Sequence, residues 1–341
     1  MPDLKAPSLS AKQLAEALER HPSCRIGQYP TPLVPLERLG RELGRPVLVK
    51  RDDQLGPLLG GNKTRKLEYL LAEAQRRGLK RVVTAGGVQS NHVRLTAAAA
   101  RLQGLEPHLL LLGERPPRAT ANLLLDELVG AELHFVPSTR SPRRPGRFAE
   151  MDAFLRQVAE EEVGEHYFIP IGGSTWLGSL GYARAALEID EQVRQAQLKD
   201  PWLIAAAGSG GTVAGLLAGL LLLGSSVRLI GIDIGGLWTD FPEHICADAS
   251  AVCALLGSPR GIDPAQLRLI QGRYQGPGYA VPTSESEAAL RRLARTEGLL
   301  LDPTYTAKAF AALLDLAARG ELGAEAPVIF LHTGGLPGVF A

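Results

Sequence analysis

Short apolar runs alternate with helix-forming runs along most of this chain. "RPVLVKRD", "KRVVTAGG", "PHLLLLG", "AELHFVP", "WLIAAA", "VRLIGIDI" and "APVIFLHTGG" read as strands. Between them, "KTRKLEYLLAEAQRRG" reads as an amphipathic helix closed by Gly78, and "NHVRLTAAAARLQG" as one closed by Gly104. "TANLLLDELVG" and "TVAGLLAGLLLL" read as two more. Strands that alternate with helices predict an α/β fold of parallel sheets buried on both faces. In such folds the loops after the strands' carboxyl ends carry the chemistry.

A chain of 341 residues has room for two domains or one large one. Composition alone shows no boundary between them. The net charge of +1 gives no electrostatic reason to bind nucleic acid or an anionic membrane, so a small substrate is expected. Cys24, Cys246 and Cys253 are an odd set and form no disulfide framework, which fits a reducing, cytoplasmic compartment. The start, "MPDLKAPSLSAKQLAEALER", has no apolar stretch of the secretory kind. Leu203 to Gly224 is uncharged over roughly the 20 residues that a membrane span needs. "GSGG" breaks it, so a buried strand, a glycine turn and a buried helix are expected instead. Cys246 and Cys253 lie seven apart with His244 nearby, which suits one helix face better than a zinc site.

Three glycine loops follow expected strands. In "GGVQSNH", Gln89, Ser90, Asn91 and His92 crowd a helix start. One of them suffices as a cap, and a helix N-terminus also attracts an anion such as a substrate carboxylate. "GSGGT", Gly208 to Thr212, lets backbone N–H groups approach a phosphate closely. With Asp233 at the end of "VRLIGIDI" it also resembles a dinucleotide site, but Val213 stands where the third glycine belongs. "PIGGST" is an anion-facing loop or only a turn. "PSTRSPRRPGRF", Pro137 to Phe148, reads as an exposed loop without a functional reading.

Lys63 stands just after two glycines and an asparagine, with Arg65 and Lys66 close behind. A free lysine has a pKa near about 10.4 and is a poor nucleophile at neutral pH. Flanking cations and partial burial both lower that value. A neutral amine forms a Schiff base, and a phosphate cradle elsewhere makes sense if the aldehyde is pyridoxal phosphate. Tyr279 in "GPGYAVP", Tyr305 in "DPTYTAKA", and His332 with Thr333 in "HTGG" complete the candidates.

Together "GGNKTRKLEYLLAEA", "GGVQSNHVRLTAAAA", "GSGGT", "GYAVP", "DPTYTAKA" and "HTGGLPG" resemble the 1-aminocyclopropane-1-carboxylate deaminase and D-cysteine desulfhydrase family, from about Pro30 to the C-terminus. The resemblance implies two open parallel-sheet α/β domains of the tryptophan synthase β-like fold, fold type II of the pyridoxal-phosphate enzymes. Residues 1–65 and 172–341 would form the large cofactor-binding domain, and 66–171 a small inserted one. Lys63 would carry the cofactor as an internal aldimine, and Asn91 would meet its 3-hydroxyl. Gly208, Ser209, Gly210, Gly211 and Thr212 would hold its phosphate, and Thr306 its pyridine nitrogen. Gln89, Ser90, Asn91, His92 and Thr333 would surround the substrate, with Tyr279 and Tyr305 facing it. A homodimer acting on a small amino acid is implied. Deaminases of the family typically carry glutamate, leucine and glutamine where this chain has Thr306, Thr333 and His92. The desulfhydrase branch is therefore expected, acting on D-cysteine. The deaminase activity, elimination from L-cysteate and action on other β-substituted amino acids stay open. A nucleotide-dependent oxidoreductase and a non-catalytic binding module are the competing classes.

Overall fold

A computed structural model describes residues 9–141 and 146–341. The first eight residues of the N-terminal reading and residues 142–145 of the Pro/Arg loop lie outside them. Among the described residues ten strands run in chain order: β1 Leu33–Pro35, β2 Val47–Lys50, β3 Arg81–Gly87, β4 Glu106–Leu112, β5 Glu132–Val136, β6 Tyr167–Ile169, β7 Trp202–Ala207, β8 Arg228–Asp233, β9 Leu269–Ile270 and β10 Val328–Leu331. Six form one sheet in the order β1-β2-β10-β7-β8-β9, and four form a second in the order β5-β4-β3-β6. Every pairing is parallel except β1 with β2, a short antiparallel edge.

Strand order locates the site. From β3 the chain winds outward through β4 and β5, then returns on the other side of β3 as β6. From β7 it winds through β8 and β9 and returns beside β7 as β10. Each sheet therefore reverses direction at one strand, and the crevice at that strand's carboxyl end is where α/β folds bind ligands. "GGVQSNH" follows β3 and "GSGGT" follows β7, so both loops occupy switch points.

The uncharged Leu203–Gly224 segment resolves into β7, a glycine turn and the helix Gly211–Leu223. Nearly every residue of that helix is buried, because helices Trp176–Gln195 and Phe241–Leu255 pack on it as well as β7 and β8. An all-round apolar helix is what such a position needs. No helix among the described residues is long and apolar enough to cross a membrane. One apolar core joins the two sheets, running from Val83 and Leu110 to Leu203 and Ala205. Phe148, read as part of an exposed loop, is instead a buried residue that begins the helix Phe148–Val163. It packs between the rings of Trp238 and His244.

Candidate active site

Lys63 opens the helix Lys63–Arg76. The turn before it is held firmly rather than left flexible. Leu58, Leu59, Gly60 and Gly61 all have positive φ. A side chain at Gly60 would place its Cβ 2.2 Å from the Asp53 carbonyl, so only glycine fits. Arg94 donates to the Leu58 and Gly60 carbonyls. The Asn62 amide donates to the Thr333 carbonyl at 3.0 Å, which ties the turn to the end of β10.

The Lys63 amine faces a cavity and makes one long hydrogen bond, 3.3 Å to Asn62 Oδ1. Burial lowers its pKa to about 8, and the Asp302 carboxylate pulls weakly in the other direction. The flanking cations do not produce the shift. Arg65 points away into ion pairs with Asp52 and Glu188. Lys66 lies on the Lys63 side of the helix, is fully buried, and donates to the Gly172 carbonyl and Ser174 Oγ. Burial first, and Lys63 second, push the Lys66 amine well below the ordinary lysine range.

The cavity gathers most of the expected residues. Lys63, Ser90, Asn91, His92, Gly208, Ser209, Gly210, Thr212, Tyr279, Tyr305 and Thr333 line it. Three do not. The Gln89 amide bonds to Thr120 and to the Asn122 backbone, fixing the start of the helix Ala121–Leu128. Gly211 lies behind the glycine loop, with its N–H on Ser174 Oγ at 3.0 Å. Thr306 is fully buried, and its hydroxyl donates to Asp302 Oδ1 at 2.7 Å.

Ser90 caps its helix by accepting from the Val93 amide. Asn91 Oδ1 accepts from Asn122 Nδ2 at 3.0 Å. His92 Nε2 lies 2.8 Å from the Thr84 hydroxyl, whose own proton goes to the Ile169 carbonyl. That network assigns the His92 proton to Nε2. Burial, then the two lysines, hold this imidazole neutral. The Tyr279 and Tyr305 hydroxyls are hydrogen-bonded to each other, with their rings edge to face.

Asn62, Trp238 and Asp302 escaped the sequence reading. Trp238 donates to the Gly208 carbonyl at 2.7 Å and so holds the glycine loop. Asp302 caps the helix Thr306–Ala318, accepting from the Thr304, Tyr305 and Thr306 amides. The "DP" of "DPTYTAKA" is the signal that could have found it.

The residues fit a phosphorylated aldehyde. The first N–H groups of a helix lack partners within it, and those of the Gly211–Leu223 helix point toward the glycine loop. A Cβ at Gly211 would fall 2.8 Å from both Lys66 Nζ and Ser174 Oγ, so an ammonium stands beside the cradle. Among the described residues no carboxylate is bonded to this amine, and a phosphate dianion bound there would favour its charged form. The dinucleotide alternative fails here. The Asp233 carboxylate turns back on the Gly235 and Gly236 amides, at 3.1 and 2.9 Å, instead of facing a ribose.

Comparison with known proteins agrees. The sequence profile of the family "Pyridoxal-phosphate dependent enzyme" matches residues 25–334, and the chain belongs to that family. Within it the chain falls in the 1-aminocyclopropane-1-carboxylate deaminase and D-cysteine desulfhydrase group. A Pyrococcus abyssi protein, provisionally named a 1-aminocyclopropane-1-carboxylate deaminase, is 39% identical over 95% of this chain and 94% of its own. A D-cysteine desulfhydrase of Klebsiella pneumoniae is 38% identical over 95% of this chain and 97% of its own. A crystal structure titled as an ACC deaminase homologue superposes with a TM-score of 0.84 at 36% identity, covering 96% of each chain. The fold is thus that of fold type II, and the cofactor is pyridoxal phosphate.

A pH dependence follows from Lys63. Below about pH 8 its amine is protonated and unreactive. The rate at which cofactor-free protein captures added pyridoxal phosphate, followed by visible absorbance, is expected to rise with pH and level off above about 8. A rate still climbing toward about pH 10.4, as for a free lysine, would contradict the burial argument.

Proposed function

We propose that this chain catalyses β-elimination from D-cysteine, taking up one water to give pyruvate, ammonia and hydrogen sulfide. The observation that carries the reading is Lys63, an amine lowered to about 8 on the cavity wall between two switch-point loops. When bound, pyridoxal phosphate supplies the electron sink for a carbanion at the substrate's α-carbon. Gly208, Ser209, Gly210 and Thr212 would hold its phosphate, with Gly211 and Lys66 supporting that loop from behind, and Asn91 would meet the 3-hydroxyl. Ser90 and the neighbouring backbone N–H groups at the helix N-terminus take the substrate carboxylate, where the helix dipole favours an anion, and the neutral His92 ring lines the cavity beside it. Gln89 and Thr120 brace that corner from behind. The free Lys63 amine removes the α-proton, and the thiol leaves on the side of Tyr279 and Tyr305.

The choice of branch rests on Thr306, Thr333 and His92. With threonine at position 306, its hydroxyl proton committed to Asp302, no carboxylate side chain stands there to keep the ring nitrogen charged, and the ring is less electron-withdrawing. That suits expulsion of a good leaving group better than opening a cyclopropane. The same reading includes the large domain of 1–65 with 172–341, the small domain of 66–171, a homodimer and a cytoplasmic location.

The test is product formation on a panel. Pyruvate is measured from D-cysteine, L-cysteine, L-cysteate and D-serine, and 2-oxobutyrate from 1-aminocyclopropane-1-carboxylate. D-cysteine is expected to give the highest kcat/KM. Turnover of the cyclopropane substrate alone would overturn the assignment of branch. Turnover of cysteate alone would keep the elimination and change the leaving group.

A further inference from the structure

Lys308 lies one helical turn after Tyr305, in the same "DPTYTAKA" stretch, and is completely buried. It makes no ion pair among the described residues. Its ammonium donates to three backbone carbonyls: Gln275 at 2.7 Å, Gly278 at 3.0 Å and Ile234 at 3.1 Å. All three of its protons are thereby used. Burying an ammonium is costly unless its protons are satisfied, so this arrangement is a built site and not a stray contact. The carboxylates of Asp233 and Asp302 act on it through space without a hydrogen bond.

The three carbonyls belong to two segments of the cavity wall. Ile234 directly follows β8, just before Leu237 and Trp238. Gln275 and Gly278 lie in the irregular segment that carries Tyr279. The next residue after Tyr279, Ala280, has a φ of +61°, so this stretch is held in an unfavourable backbone conformation. Residues three apart on a helix share a face. One turn of the Thr306–Ala318 helix therefore presents Tyr305 to the cavity at its start and Lys308 to the Tyr279 segment at its side. The hydroxyl–hydroxyl bond between the two tyrosines requires both placements.

We propose that Lys308 is a positioning residue for the reaction: an internal cation that pins the Tyr279 segment to the end of β8 and sets the tyrosine pair. The inference rests on the reading of Tyr279 and Tyr305 as substrate-facing. Misplacing a reacting group by about 1 Å costs on the order of 100-fold in rate. Lys308 also borders a solvent groove lined by Thr283, Ala289 and Asp315, which gives a small cation a route to its position.

The experiment uses holoenzyme of Lys308→Met, which keeps most of the stem, and of Lys308→Ala, which leaves room. Amide hydrogen exchange over 275–281 is measured without substrate, alongside visible cofactor absorbance and turnover. The expected result is faster exchange confined to that segment, unchanged absorbance and a loss of kcat of about 100-fold. Propylammonium, which replaces the missing stem and charge, is expected to recover part of the Lys308→Ala activity, and 1-propanol none. Unchanged exchange, or unchanged turnover, overturns the proposal. So does a loss of activity that merely tracks loss of bound cofactor. If the wild-type enzyme turns over none of the panel substrates, the proposed function fails, and the exchange measurement still decides whether Lys308 pins the segment.

Discussion

The Lys63→Ala protein is expected to fold, to lose the visible absorbance of lysine-bound cofactor, and to turn over substrate at least about 1,000-fold more slowly. The argument begins with what the amine does in the resting protein. Its single hydrogen bond, 3.3 Å to Asn62, contributes little to stability. The turn around it is fixed by other groups: Arg94 on two carbonyls and the Asn62 amide on Thr333. Removing the amine therefore leaves the cavity intact and removes both functions proposed for it, the covalent anchor and the α-proton base. Small primary amines enter the space left and are expected to restore part of the rate, with a pH dependence that follows the added amine. Activity at the wild-type level would sink the mechanism. A protein that no longer melts cooperatively would mean that Lys63 is structural, and circular dichroism on the same sample separates the two outcomes.

Parts of this architecture are legible in the sequence because they depend on neighbours along the chain. Gly78 and Gly104 end their helices with positive φ, and the apolar runs that follow them become β3 and β4. The position of β10 between β2 and β7 is not legible, because it joins strands more than 100 residues apart. The same division runs through the site. Lys63 and the two glycine loops announce themselves by local composition. Trp238, which holds the Gly208 carbonyl, and Asp302, which faces Lys63 electrostatically, reach the site only through tertiary packing. Arg65 shows how a local reading goes astray. Two residues along a helix is about 200° of rotation, so Arg65 points almost opposite to Lys63, while Lys66, three along, shares its side. Proximity in sequence suggested that both cations activate the lysine, but the shift comes from burial.

That correction yields the second large effect. Arg65→Met is expected to cost about 3–5 kcal/mol of stability and to leave the Lys63 pKa near its present value. Arg65 bonds through its Nε and Nη2 to both oxygens of Asp52 at 2.8 Å, and through Nη1 to Glu188 at 3.0 Å. Lys50 also pairs with Glu188, and Tyr182 donates to Asp52 at 2.7 Å. Two cations thus balance two carboxylates in a buried cluster, and methionine leaves one carboxylate uncompensated. Burial alone raises the pKa of Asp52, but Arg65, its hydrogen bonds and Lys50 more than offset this and hold it at about 2. A free aspartate titrates near about 3.9, so this group's contribution to stability is complete above about pH 4. It is lost as pH falls through about 2. Without Arg65 the burial effect prevails, the carboxyl titrates higher, and acid unfolding is expected to begin at a higher pH. The double variant Asp52→Asn, Arg65→Met is expected to recover part of the loss, since neither charge is then stranded. Two measurements decide the matter: urea unfolding across pH 3–8, and the pH dependence of cofactor capture. Wild-type stability would show the cluster to be dispensable. A capture midpoint that rises toward the free-lysine value would return to Arg65 the activating role that the geometry denies it.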